Sequence, residues 1–559
     1  MKTLDVVLCW HMHQPCYRAA DGQYRQPWVY LHAIKDYADM AWHLEHAQDA
    51  RATVSLAPVL VEQLDDYRVQ FESGEFRDAL LRDLQRGDAD TPERRRRLCY
   101  ELCRANFERM VRRYPAYERV FHLAESAAWG GEPLSPADMA DTLVWYHLAW
   151  MGEGTKRSDE RVQRLIAKER GFDAADRTTL LGVIGELVGG VLDRYVRLAR
   201  QGRVELAVSP YSHPIVPLLI DFGAALEARP DAVLPASPAY PGGAQRTDVQ
   251  LQSAREAHAA RFGAAPNGCW PSEGGVSDAA LAAMRAHHFQ WTASGERVCA
   301  NSLAAKHDDT PREQYLYTPY AVQTGAGPIA CFFRDDDLSD RVGFVYAPWR
   351  AQDAMRDLVD ALEAIAVVQA PDATPVVSII LDGENAWEHY EDNAFEFLNA
   401  LYDRLSEHPG IRLTTFADHL ASRPSLPALD HVVAGSWVYG AFDTWIGEPD
   451  KNRGWDLLVE AKRAYDNTLA SRRLTPAAQA GAEMLLRNCE SSDWFWWFGG
   501  YNPPAPVRDF EQLFRRHLSD LYAALGEPTP PDLDIAVSIG TGDPVYDGVM
   551  RRAKRVDLL

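Results

Sequence analysis

Short β-type runs recur along the first three quarters of the chain, each separated from the next by amphipathic helical stretches. This alternation limits the fold more than any other feature. The runs are Leu4–Trp10, Ala52–Leu56, Val204–Val208, Gly268–Trp270, Phe289–Thr292, Ile329–Phe333 and Val376–Leu381, with Ile411–Thr415 as a candidate eighth. Helical periodicity marks Met139–Met151, Thr178–Gln201 and Ser277–His287 among others. Strand alternating with helix calls for a parallel sheet covered by helices. Seven or eight such units over roughly 420 residues favour an α/β barrel over an open sheet.

Strand parity sharpens this. In the first run Leu4, Val6, Leu8 and Trp10 share one face, and Asp5, Val7, Cys9 and His11 the other. Near Val204 the apolar face is Val204, Leu206 and Val208, opposite Glu205, Ala207 and Ser209. In the last run Val377, Ile379 and Leu381 oppose a face that ends in Asp382. The uniformly apolar faces should meet the helices. The mixed faces should point inward, with polar members at the C-terminal mouth, where barrels place their chemistry. The segment Arg423–Pro427 reads as a linker, and Trp455–Ser471, Pro476–Asn488 and Val507–Leu525 as helices. The expected organisation is a barrel over 1–422, a helical domain over 423–526 and a short tail over 527–559, with Leu533–Ile539 strand-like. The stretch Asp221–Tyr240 is expected to run over the barrel mouth.

Composition excludes several function classes. Against 58 Lys and Arg stand 80 Asp and Glu, a formal net charge of −22 over 559 residues. Such a surface repels phosphate backbones, so nucleic acid is not an expected partner. The basic run Arg94–Arg97 lies between Glu93 and Glu101 and reads as a solvated helix face. No uncharged apolar run is long enough to span a membrane, and the first residues read as a strand rather than a leader. Eight Cys without a C-x-x-C pair suit a reducing cytoplasm, with Cys99 and Cys103 as helix packing. The 16 Trp are about twice average usage, and flat faces suit both a core and sugar rings.

Three segments carry chemistry. His11-Met12-His13-Gln14-Pro15 follows a strand, and alternate positions put both His on one face. Such a pair serves as buried hydrogen-bonded His, as ligand contacts or as metal ligands. Glu273, in Trp270-Pro271-Ser272-Glu273-Gly274-Gly275, sits on a Gly-flanked turn with Ser277 as a candidate N-cap. It is either a helix-entry carboxylate or a functional one. Asp382-Gly383-Glu384 ends a strand with two carboxyl groups, either solvated in a loop or held at a mouth. Like charges so close raise at least one pKa, and the charge of Glu384 is expected to raise that of Asp382.

Together these segments resemble glycoside hydrolase family 57. His13-Gln14-Pro15 is similar to the family's first motif. Val204-Glu205 with Ser209-Pro210-Tyr211-Ser212-His213-Pro214 is similar to the second, Trp270-Pro271-Ser272-Glu273 to the third and Asp382-Gly383-Glu384 to the fourth. The aromatic stretch from Trp437 to Gly447 is similar to the fifth. Phe333-Arg334-Asp335, Leu338-Ser339-Asp340-Arg341, Asp443-Thr444-Trp445-Ile446-Gly447 and Ser492-Asp493-Trp494-Phe495-Trp496-Trp497 draw the likeness toward the amylopullulanase branch. The resemblance implies an incomplete (β/α)7 barrel followed by a C-terminal helical domain, which leaves Ile411–Thr415 without a place in the ring. It implies a retaining glycoside hydrolase of α-amylase or amylopullulanase type. The bonds would be α-1,4, with α-1,6 as a second linkage, in glycogen, starch or maltodextrin.

Glu273 is then the nucleophile and Asp382 the general acid/base. Retention requires two carboxyl groups roughly 5–5.5 Å apart across the scissile bond. The implied substrate contacts are His11, His13, Glu205, His213, Trp270, Glu384, Trp387, Trp437, Asp443 and Trp445. The Ser492–Trp497 cluster reads as filler of the interdomain core ahead of a wall of the mouth. Three alternatives stand: a 4-α-glucanotransferase or glycogen branching enzyme of the same family, a metal-dependent barrel hydrolase using His11 and His13, and a non-catalytic glucan-binding protein that keeps the aromatic cleft, against which the presence of both Glu273 and Asp382 speaks. The leading reading calls for no cofactor and no metal. The partner is an α-glucan polysaccharide or maltooligosaccharide, and oligomeric state is left open.

Overall fold

A computed structural model describes residues 4–370, 373–423 and 425–542. Seven parallel strands form the ring: β1 (Leu4–Met12), β2 (Ala52–Leu56), β3 (Val204–Val208), β4 (Gly268–Cys269), β5 (Trp291–Gly295), β6 (Ile329–Arg334) and β7 (Val376–Asp382). Neighbours pair in chain order, and β7 returns to β1 over seven residue pairs, Asp5↔Val376 through His11↔Asp382. The seam between β6 and β7 holds by the single pair Arg334↔Ser378. Below it the edge of β6 is taken by the antiparallel strand Tyr320–Val322. This seam is why the barrel is incomplete.

Inside and outside follow the parity of the sequence. Leu4, Val6, Leu8, Trp10, Val204, Leu206, Val208, Val377, Ile379 and Leu381 pack outward against helices. Val7, Cys9, Ala207, Val376 and Ile380 fill the interior with Trp270, Trp291 and Phe332. The interior is crowded enough that a Cβ on Gly268 would lie 1.8 Å from the Trp291 ring. Phe416 closes the N-terminal end, its ring centroid 4.5 Å from those of Trp291 and Phe332. A floor of fully buried aromatics, each contributing roughly 1.5–3 kcal/mol on burial, leaves only the opposite mouth open to substrate.

The strand Ile411–Thr414 exists but is no eighth stave. It pairs with Leu4–Val7 of β1, whereas β2 pairs with Cys9–Met12, so it fills the lower edge that β2 leaves bare. The fifth strand begins at Trp291 rather than Phe289, which ends the preceding turn. Between β2 and β3 lies a large helical insertion ending in Ala174–Arg200. Asp173 and Asp176 form a capping box at its start, and its buried face runs through Leu180, Val183, Ile184, Val188, Val191, Leu192, Tyr195 and Leu198.

After the barrel come helices Pro449–Ala470, Pro476–Cys489, Asp493–Trp497 and Pro504–Leu525. They rest on the mouth end of β1: His517 Nε2 meets the Cys16 carbonyl at 2.8 Å, and the Ala20 amide donates to Asp520. Two expectations fail here. The stretch Asp221–Tyr240 docks on these helices instead of covering the mouth. The amides of Ala236 and Ser237 donate to Asp456, and Asn452 donates to the Val233 carbonyl. Residues Leu533–Ile539 form a 3-10 turn and irregular chain rather than a strand. Pro424 of the linker and residues 543–559 of the tail lie outside the described residues. No described helix is long and apolar enough to cross a membrane.

Candidate active site

The mouth of the barrel opens into a cleft of about 650 Å³, in the range of small-ligand sites. The ends of β1 and β7 form one wall, because the register pairs His11 with Asp382. The turn after β4 forms another, and Asp493, Trp496 and Trp497 from the helical domain a third.

Glu273 occupies that turn with φ 58°, in the left-handed region that non-glycine residues rarely adopt. The turn is held from both sides. The Trp437 amide donates to the Glu273 carbonyl at 3.0 Å, and Ser294 Oγ donates to the Gly274 carbonyl at 2.6 Å. Ser277 caps the helix beyond, accepting from the Ala280 amide. Trp437 Nε1 donates to Glu273 Oε2 at 3.0 Å. A neutral donor so placed fixes the carboxylate's orientation. The Arg334 guanidinium lies 5.3 Å from the Trp437 ring centroid.

Asp382 ends β7. Burial pushes its carboxyl above the usual aspartate value, opposed by a hydrogen bond from Asn385 and by the charges of His13 and Arg334. Arg334 therefore acts on both sides of the cleft. It is itself buried, held by Asp336 at 2.9 Å, Asp340 at 3.0 Å and the Ile380 carbonyl at 2.8 Å. Glu384 lies deeper, accepting from the His13 amide and Gln14 Nε2, each at 3.2 Å. Burial first, then the charge of Asp382, push its carboxyl well above the usual range. Both carboxyls of this close pair are thus raised, with burial the first cause in each.

The histidines form a connected column. His11 Nε2 and His213 Nε2 are 2.9 Å apart, so one ring donates to the other. Ser492 Oγ lies 2.9 Å from His213 Nδ1. Burial and neighbouring His hold the pKa of both rings well below the usual value, so both stay neutral. His13 stacks on His213 at 3.8 Å and meets Asp493 Oδ2 through Nε2 at 2.9 Å.

Of the residues singled out from sequence, His11, His13, His213, Glu273, Asp382, Glu384 and Trp437 wall one cleft. Trp270, Trp387 and Trp445 do not wall it; all three are buried and pack in the core. Asp443 pairs with Arg229 at 2.6 Å away from the cleft. Glu205 points into the barrel but near its closed end, accepting from Trp291 Nε1 at 2.7 Å and the Ala417 amide at 3.0 Å. It is the second residue of its strand, too low to reach the mouth. The Ser492–Trp497 cluster divides: Trp494 and Phe495 fill the core, while Asp493, Trp496 and Trp497 face the cleft. Sequence reasoning missed Asp493 and Arg334 as wall residues, and Trp28, His32, Tyr100, Arg104 and Trp150 entirely.

The metal alternative can be tested on geometry. Among the described residues His13, His213 and Asp493 are the group with ligand atoms within 4.8 Å of one another, and His11 is not in it. The His13 and His213 rings lie face to face with planes 16° apart. The in-plane lone pairs of stacked rings run side by side, whereas a four-coordinate ion needs them to converge. The donor set does not fit. Full activity after dialysis against EDTA is the expected outcome, and a loss restored by zinc would reverse this reading.

A barrel that brings two acid side chains from separate strand ends to one mouth, beside aromatic and His walls, defines an enzyme of glycoside hydrolase type. The model of glycosyl hydrolase family 57 matches residues 7–427, and the chain belongs to that family. No curated protein matches it. Among solved structures it is similar to the alpha-amylase AmyC from Thermotoga maritima, at TM-score 0.59 and 14% identity over 98% of this chain and 100% of that one. It is also similar to a branching enzyme of the family from Thermococcus kodakaraensis, at TM-score 0.58 and 14% identity, covering 94% and 90%. A third similar structure is the 4-alpha-glucanotransferase from Thermococcus litoralis, at TM-score 0.52 and 12% identity, covering 93% and 60%.

Proposed function

We propose that this chain is a retaining enzyme on α-glucans, cleaving α-1,4 bonds through a glycosyl-enzyme with Glu273 as nucleophile and Asp382 as acid/base. One observation carries the reading: two carboxyl groups, remote in sequence, face one cleft and differ in environment. Glu273 takes a hydrogen bond from the Trp437 indole, and Asp382 is raised by burial toward holding a proton. That asymmetry is what the two steps need. The ionised group attacks the anomeric carbon while the protonated one donates to the leaving oxygen, then accepts a proton from the incoming hydroxyl.

The neutral His11–His213 pair and the His13–Asp493 pair supply hydroxyl ligands beside the reacting sugar. Trp437 and Trp496 supply flat faces for the rings. Eight free Cys support work in a reducing cytoplasm.

Water or a sugar hydroxyl then resolves the intermediate. The aromatic walls on both sides of the cleft favour transfer as the second reading, since an acceptor sugar needs such a surface. Incubation with maltoheptaose separates the two: hydrolysis raises reducing ends, and transfer redistributes chain lengths at constant reducing ends. Pullulan and glycogen report α-1,6 cleavage. Absence of turnover on all three substrates would sink the proposal.

A further inference from the structure

Trp129 is 79% exposed, whereas tryptophan is a highly buried residue on average. It does not sit on a loose loop. It closes the helix Pro115–Ala128, its amide reaching the carbonyls of Glu125 and Ser126. The chain then folds back through Gly130, at φ 93°, and Gly131, whose amide donates to the Ser126 carbonyl at 2.8 Å. A Cβ on Gly131 would lie 2.2 Å from Ser126 Oγ, so the turn is as tight as the chain allows. The ring is thus presented outward by a well-defined turn. Its sequence neighbours Glu125, Ser126, Gly130 and Glu132 are exposed, which is not the broad apolar patch of a protein interface.

The ring also has a direction. It stands edge-on to Tyr100, with centroids 6.4 Å apart and planes at 86°, and Tyr100 itself walls the cleft. The same cleft is lined by Arg104, whose guanidinium lies 4.8 Å from the Trp28 centroid, and by Trp150, 5.6 Å from Trp28. Tyr100, Arg104 and Trp150 all come from the insertion between β2 and β3. Tyr100, Arg104, Trp28 and Trp150 thus share the cleft with Glu273 and Asp382, and Trp129 stands against Tyr100 outside that lining.

We propose that Trp129, with Tyr100, forms an outer binding platform for an α-glucan chain as it leaves the cleft along the insertion. The proposal rests on the α-glucan reading of the cleft. Pyranose rings present apolar C–H faces to flat aromatic surfaces, and their rim hydroxyls suit the polar surroundings of Trp129. The platform makes long chains better ligands than short ones.

The test is affinity electrophoresis in gels containing amylose, run on a Glu273→Gln background so that the probe is not consumed. Adding Trp129→Ala is expected to weaken retention by about three- to tenfold, and Trp129→Phe to keep it within about twofold. Circular dichroism checks that the variants fold alike. Equal retention with and without Trp129→Ala overturns the proposal. So does a Trp129→Ala variant that changes gel-filtration mass and not retention, because the ring then serves a second protein copy. Turnover of maltoheptaose by the unmodified chain is measured separately. An inactive chain that still loses retention would sink the catalytic reading and leave the platform standing.

Discussion

Glu273→Gln is expected to lower kcat on maltooligosaccharides by roughly ten-thousandfold or more, with KM changed only a few-fold. The substitution keeps the shape and an acceptor oxygen for Trp437 Nε1, so the turn at φ 58° has no new reason to relax. What it removes is the negative charge that attacks the anomeric carbon. An amide oxygen is a poor nucleophile, and the cleft's other carboxyl groups come from other elements: Asp382, Glu384 and Glu388 from the end of β7 and the loop after it, Asp493 from the helical region. Added azide gives the decisive measurement. A small anion entering the space left by the reaction should restore part of the rate and yield a glycosyl azide of inverted configuration. A variant that keeps a tenth of the original activity would show that the nucleophile lies elsewhere.

The sequence made parity and strand ends legible, because both are local properties. Alternation along β1, β3 and β7 told which side chains face the interior. It could not tell how high along the barrel axis each one stands. Glu205 and Asp382 are both inward, yet Glu205 is second in its strand and sits on the floor, while Asp382 is last and stands at the mouth. Height depends on the relative stagger of strands, which only the registers supply.

The tryptophans show a different limit. Trp270, Trp387 and Trp437 all lie in or beside the family-like motifs, but only Trp437 walls the cleft. The burial of the other two is set by packing partners such as Trp10 against Trp387. The helical domain shows a third. His13 and Asp493 are 480 residues apart and share a hydrogen bond. No periodicity in either segment signals a contact of that range. Arg334 was visible only as part of a likeness. It ends β6, where the single pair with Ser378 closes the ring, and from there it acts on Asp382 and meets the Trp437 ring.

Asp382→Asn is the second large effect, and its signature differs from that of the nucleophile. Removing a general acid costs about a hundred- to ten-thousandfold on natural glucans, where the leaving oxygen must be protonated. On an activated substrate such as a 4-nitrophenyl maltooligosaccharide the leaving group departs without a proton, so the first step should lose less than about tenfold. Glu273→Gln should hurt both substrates equally. The pH profile gives an independent sign. Burial raises the pKa of Asp382, so the protonated, active form persists above the ordinary aspartate value of 3.8 and is lost as pH rises through the raised value. The unmodified enzyme should therefore show an alkaline limb that reports Asp382. Asparagine does not titrate, so that limb should vanish from the residual activity. An unchanged alkaline limb in Asp382→Asn, or equal losses on natural and activated substrates, would move the acid role to another residue. Glu384 would be the first to examine, since it lies in the same wall and is also pushed toward holding a proton.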